Sequence, residues 1–183
     1  AVVISFVITS QTVQAEDTGL KADELNVKMK VSEEGLVDVY AEYKMDFLTP
    51  HRGIFINVPA WYEDFKLDDL TLDILFPIRE MEALSDQAVS IEHTSSGSQI
   101  RFGEESLFLE GKQTYAFRYQ YEIRPWISKY RDMDAFFASV IEKNLGFPVD
   151  KVSVDVEFPK KIDDDPLFNK SEEDIVYDFD GQK

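Results

Sequence analysis

The residues with chemistry to offer are numerous but of few kinds: 36 Asp and Glu, two His and no Cys in 183 residues. The lack of cysteine removes disulfides, thiolate metal ligands and thiol nucleophiles together. His51 and His93 fall on different expected elements, without a partner at metal-ligand spacing, and read as surface or packing imidazoles. No glycine-rich phosphate loop, G-x-S-x-G elbow or H-E-x-x-H pair occurs. Nucleotide hydrolysis and zinc proteolysis therefore lose their usual support. Two carboxylates can serve as acid and base, but among so many any pair is uninformative, and no catalytic residue is nominated.

Cation chemistry is weak in the same way. Asp178-Phe179-Asp180-Gly181 has part of a calcium-loop pattern, yet Val176 stands where its first ligand belongs. Asp163-Asp164-Asp165 ahead of Pro166 reads as a solvated acidic turn with at most weak Ca2+ binding. No other cofactor is expected. Contact chemistry is left to Trp61, Tyr62 and Trp126, at expected strand exits, and to Arg52. Aromatic rings at loop tips contact sugars and proteins, or else plug the ends of a β domain. Arg52 is either an anion clamp or half of a structural Arg-Gly corner, where the chain turns out of Thr49-Pro50-His51 into the apolar run from Ile54 to Val58.

A formal net charge of -17 repels phosphate backbones and anionic headgroups, so nucleic acid is excluded as a partner. At 44% hydrophobic the chain is globular, and its length suits one domain that holds together without disulfides.

The elements that must position these residues follow from period-two alternation. Leu25, Val27 and Met29 share a face, Ser32-Glu33-Glu34-Gly35 is a turn, and Val37 to Phe47 alternate with polar residues. Arg52 to Val58, Leu70 to Phe76, the hairpin from Val89 to Phe102, Tyr115 to Ile123 and Val152 to Phe158 complete the strands. Glu110-Gly111-Lys112 separates Leu109 from the Tyr-rich run. One helix is expected from Asp132 to Leu145, on the spacing of Met133, Phe136, Phe137, Val140 and Ile141, with Asp132 as N-cap and Gly146 beyond its end. The expected fold is mainly β, a two-sheet antiparallel β-sandwich with one helix inserted before the last strand.

Residues 1–15 carry no charge, open on the apolar run Ala1 to Ile8 and close on Val13-Gln14-Ala15. This is the C-terminal part of a secretory signal peptide, cut before Glu16; without a basic stretch ahead of it, the chain begins inside its leader. Val2 to Ile8 also have the composition of a buried strand. Residues 16–160 are then the extracytoplasmic domain. Residues 161–183 read as an acidic peripheral arm or linker.

The hairpin Glu34-Gly35-Leu36-Val37-Asp38-Val39-Tyr40-Ala41-Glu42-Tyr43 is followed by Asp46-Phe47 and by Arg52-Gly53-Ile54-Phe55-Ile56-Asn57-Val58-Pro59. Thr114 to Tyr121, Asp132 to Phe137 and the valine strand closing on Phe158-Pro159 come later. Together, from Leu25 to Pro159, these resemble the "domain of unknown function 2207" family of predicted bacterial membrane proteins. The resemblance implies an N-terminal domain outside the cytoplasmic membrane, tethered by membrane segments beyond it, and supplies no catalytic residue. The expectation is a non-catalytic binding or structural domain with a protein or cell-envelope partner. The rival is an extracellular carboxylate-dependent hydrolase acting on wall glycan or peptide.

Overall fold

The computed structural model of the chain describes residues 2–7, 19–67, 70–122, 129–130, 133–139, 145–159 and 167–169. Alternating sequence becomes strand along most of these stretches. In chain order the strands are β1 (Val2–Val7), β2 (Leu20–Val31), β3 (Leu36–His51), β4 (Ile54–Pro59), β5 (Trp61–Leu67), β6 (Leu70–Leu75) and β7 (Ile78–Leu84). They continue with β8 (Val89–Thr94), β9 (Gly97–Phe102), β10 (Leu109–Glu122), β11 (Lys129–Tyr130), β12 (Met133–Ser139), β13 (Val152–Glu157) and β14 (Leu167–Asn169).

Hydrogen bonding joins them into a five-stranded sheet, β13-β2-β3-β10-β7, a three-stranded sheet, β4-β9-β8, a four-stranded sheet, β11-β12-β1-β14, and the pair β5-β6. The β2-β3 hairpin closes as its turn residues dictate: Gly35 has φ 84°, and the Leu36 N–H donates to Ser32 Oγ at 3.1 Å. From there Val37, Val39, Ala41, Tyr43, Met45 and Phe47 face inward, with Leu25, Val27 and Met29 beside them. Tyr115, Phe117, Tyr119 and Tyr121 of β10 extend the same buried face. Ile54, Ile56, Ile100 and Phe102 of the smaller sheet join one core with it, and Phe102 meets the Tyr115 ring at 4.9 Å between centroids.

The expected helix is not formed. Of its span, Met133–Ser139 are strand β12, while Asp132 and residues 140–144 lie outside the described residues. Over so short a run the spacing of Met133, Phe136 and Phe137 does not separate the two periods, and a lone helix of this length is marginal. Pairing in parallel with β1, from Val2↔Asp134 to Val7↔Ser139, satisfies the backbone instead. Phe136, only 3% exposed, sets its ring edge-on to Phe158 at 5.3 Å.

Pairing is also not antiparallel throughout. β13 runs parallel to β2, from Val152↔Leu25 to Glu157↔Lys30, as a strand returning to the sheet over a long connection can. Val2–Val7, expected within the leader, form β1 between β12 and β14. Leu167–Asn169 of the acidic stretch form β14. Gly111 does not divide the chain but sits inside β10 at a β-bulge, with φ 69°.

Candidate functional site

One face of the five-stranded sheet is wet, and the same alternation that fills the core builds it. A register shift between Ala22 and Glu24 turns two consecutive carboxylates, Asp23 and Glu24, away from the core. They gather lysines from four strands' worth of chain. Lys112 lies 2.6 Å and Lys21 2.8 Å from Asp23; Lys44 lies 2.5 Å and Lys151 2.9 Å from Glu24. Lys21 also reaches Asp150 at 3.0 Å, tying the approach to β13 onto β2. Hydrogen bonds from Lys112 and Lys21 hold the Asp23 carboxyl down at about 2, and those from Lys44, Lys151 and Asn26 do the same for Glu24. Bonds to Asp23 and Asp150 hold the Lys21 ammonium above its ordinary value.

This cluster predicts a pH dependence. Folded values near 2 lie below the ordinary 3.8 and 4.5. The stabilisation is therefore complete above those ordinary values and lost as pH falls towards 2. Acidification also relieves the repulsion of a net charge of -17, which works the other way. Glu24→Gln is therefore expected to melt below the native protein at pH 7 and together with it at pH 2. An equal gap at both pH values contradicts the assignment.

Further along the sheet, neighbouring strands place Asp155, Lys28, Tyr40, Arg118 and Glu82 opposite one another, one residue from each of β13, β2, β3, β10 and β7. Two shallow depressions, of about 600 and 430 Å³, share Lys28, Tyr40 and Asp155 as walls. The Tyr40 hydroxyl donates to Glu42 at 3.0 Å, and partial burial followed by that bond raises its pKa. Charged, open and set on regular strands, this surface can bind and orient a ligand. Sequence reading passed over it because these are the wet positions of the alternation, and their juxtaposition depends on register between distant strands.

The residues nominated from sequence lie elsewhere. Arg52 is exposed and sits over the Phe108 ring at 5.0 Å. Trp61, 39% exposed, lies at the opposite end of β4. Tyr62 is placed in β5 by its backbone, and Trp126 is outside the described residues, as are Asp163 to Pro166 and Val176 to Gly181. His51 donates from Nδ1 to the Thr49 carbonyl at 2.7 Å and packs on Phe47. The His93 Nδ1 hydrogen-bonds to Ser98 Oγ at 2.8 Å. Among the described residues no group of His, Cys, Asp and Glu is arranged to hold a metal ion, and no helix is long and apolar enough to cross a membrane.

The fold and this face define a mainly β domain with one sheet open and polar. The chain belongs to the family described as "Predicted membrane protein (DUF2207) N-terminal domain", whose model matches residues 21–183. No curated protein matches the chain. Among solved structures, an M1 zinc metallopeptidase from Deinococcus radiodurans is similar at 13% identity and a TM-score of 0.34, over 60% of this chain and 21% of that one. The same kind of enzyme from that organism, in a mutant bound to a Tyr-Ser-Ala substrate, is similar at 12% identity and 0.34, over 57% and 20%. The chain spans about a fifth of the length of these structures, and a likeness of this degree assigns no activity.

Proposed function

We propose that this is a non-catalytic binding domain of a bacterial membrane protein, a β-sandwich held outside the cytoplasmic membrane that presents the polar face of its five-stranded sheet to a cell-envelope partner. The observation that carries the reading is the row from Asp155 to Glu82 with its two shared depressions. Among the described residues the carboxylates with displaced pKa values, Asp23, Glu24 and Glu34, are all displaced downward. They are held ionised, as structural ion pairs and turn acceptors are, whereas a general acid needs its pKa raised. The family description supports membrane attachment, and the charge-free run of residues 1–15, ahead of the family match at residue 21, supports export. The core and the residues packed on it run from Leu20 to Phe158, so cleavage after Ala15 removes no core residue, though it takes away the β1 partner of β12 and β14.

The test uses the whole protein in bacterial cells. The mature N-terminus is expected at Glu16, the domain is expected to be degraded by protease added to intact spheroplasts, and Tyr40→Ala is expected to abolish the envelope material that copurifies with the detergent-solubilised protein. Retention of Ile4 to Ile8 or protection from external protease overturns export. Hydrolysis of wall glycan or peptide by the purified protein replaces the binding reading with the hydrolase.

A further inference from the structure

Four of the five side chains in the row differ from their surroundings in being uncommitted. On one side of it Ser153 donates to Asn26 at 2.6 Å; on the other, Lys30 pairs with Glu157 at 3.2 Å and Gln120 donates to Asp38 at 2.6 Å. Between them Asp155, Lys28, Arg118 and Glu82 are exposed, and their side chains make no hydrogen bond or ion pair with any described residue. Strand spacing sets the row's length at about 19 Å and puts Lys28 and Arg118 about 10 Å apart, with the Tyr40 ring between them. The order of charge is negative, positive, aromatic, positive, negative. The centre is thus a cationic pair flanking a ring, in a chain whose net charge is -17.

Resting on the binding reading above, we propose that this row recognises an acidic glycan. A sugar acid group is bridged by the Lys28 ammonium and the Arg118 guanidinium above Tyr40, and flanking hydroxyls donate to Asp155 and Glu82. Charge-assisted bonds of this kind are the strong ones, and they form here without breaking an existing pair. A polyhydroxylated chain suits an open face that offers donors and acceptors together. A protein partner asks for apolar anchors, but the side chains of Met29 and Val39 in the larger depression point into the core. An extended polymer also suits an open face whose shallow depressions span four neighbouring strands, β13, β2, β3 and β10.

The experiment is calorimetric titration of the full 183-residue chain with oligogalacturonate, a neutral oligosaccharide of equal length, and oligoglutamate. Oligogalacturonate is expected to bind at least about tenfold more tightly than either control, because only it offers acid and hydroxyls together. The double variant K28Q/R118Q, altered only at exposed positions, is expected to lose at least about tenfold in affinity while melting like the native chain. Equal binding of the neutral sugar refutes acid recognition but leaves the binding face standing. Equal binding of oligoglutamate refutes the glycan. Undiminished binding by K28Q/R118Q refutes this face as the site, and with it the reading above. No binding of any of the three refutes the glycan proposal, while loss of copurifying envelope material in Tyr40→Ala still reports on the face.

Discussion

Gly53→Ala is expected to destabilise the domain by about 3 kcal/mol or more, lowering the melting temperature by roughly 6–12 °C. The backbone there has φ +124°, a region that L side chains rarely adopt. An added Cβ would stand 2.0 Å from the Phe102 carbonyl oxygen and 3.2 Å from the Gly103 Cα. Both neighbours are main chain, and Phe102 is fully buried and paired with Ile54, so neither yields without disturbing the β4-β9 ladder. The corner has its counterpart in Gly103, at φ +105°, where a Cβ would meet the Arg52 carbonyl at 2.8 Å. Two glycines facing each other let β4 and β9 begin and end in contact. Gly111→Ala is the control: φ is +69° but nothing lies within 4 Å, so only backbone strain of about 1 kcal/mol is expected. Comparable urea midpoints for the two variants would show that the close approach at Gly53 is not what matters.

Tyr115 gives the second large effect, and its two substitutions should separate sharply. The side chain is fully buried where the sheets meet, with ring neighbours Phe102 at 4.9 Å and Phe47 at 6.3 Å. Tyr115→Ala removes the ring and leaves a cavity that strands on both sides cannot close, at a cost of about 3–5 kcal/mol. Tyr115→Phe keeps the ring. The hydroxyl it removes is buried without a hydrogen bond of ordinary geometry, as is Gln87 Oε1. Burial pushes that hydroxyl up to about 12, offset in part by Gln87. Deleting a polar group that burial leaves unsatisfied is close to neutral or stabilising, so Tyr115→Phe is expected to stay within about 0.5 kcal/mol of the native protein or above it. A loss of more than about 2 kcal/mol in denaturant unfolding would mean that the hydroxyl is fully bonded in solution.

Patterns that repeat within one strand were legible without coordinates. The alternation from Val37 to Phe47 named its buried residues correctly, and Ser32 to Gly35 announced the hairpin. The corner at Gly53, where φ is 124°, was readable as a turn from a glycine set between a polar loop and an apolar strand. So was the family, whose motifs are local runs of this kind. Less patterned strands such as β5 and β7 were not foreseen, because Trp61–Leu67 and Ile78–Leu84 mix charges into their alternation. Met133–Ser139 became strand rather than helix because β1 offered hydrogen bonds along its length, and no local spacing encodes a partner so distant in the chain.

The candidate site divides along the same line. Sequence marked Arg52, Trp61, Tyr62 and Trp126 by residue type at expected loop positions, and type alone does not gather residues. The wet positions Lys28, Tyr40, Arg118 and Asp155 were each readable as solvent-facing, and nothing in their own segments distinguished them. Register across β13, β2, β3, β10 and β7 is what aligned them. Sequence therefore determined which side of each strand is wet, since side-chain direction alternates with period two in any strand. Only the tertiary structure decided which wet residues became neighbours, since pairing between strands far apart in the chain is fixed by burial of the whole opposite face.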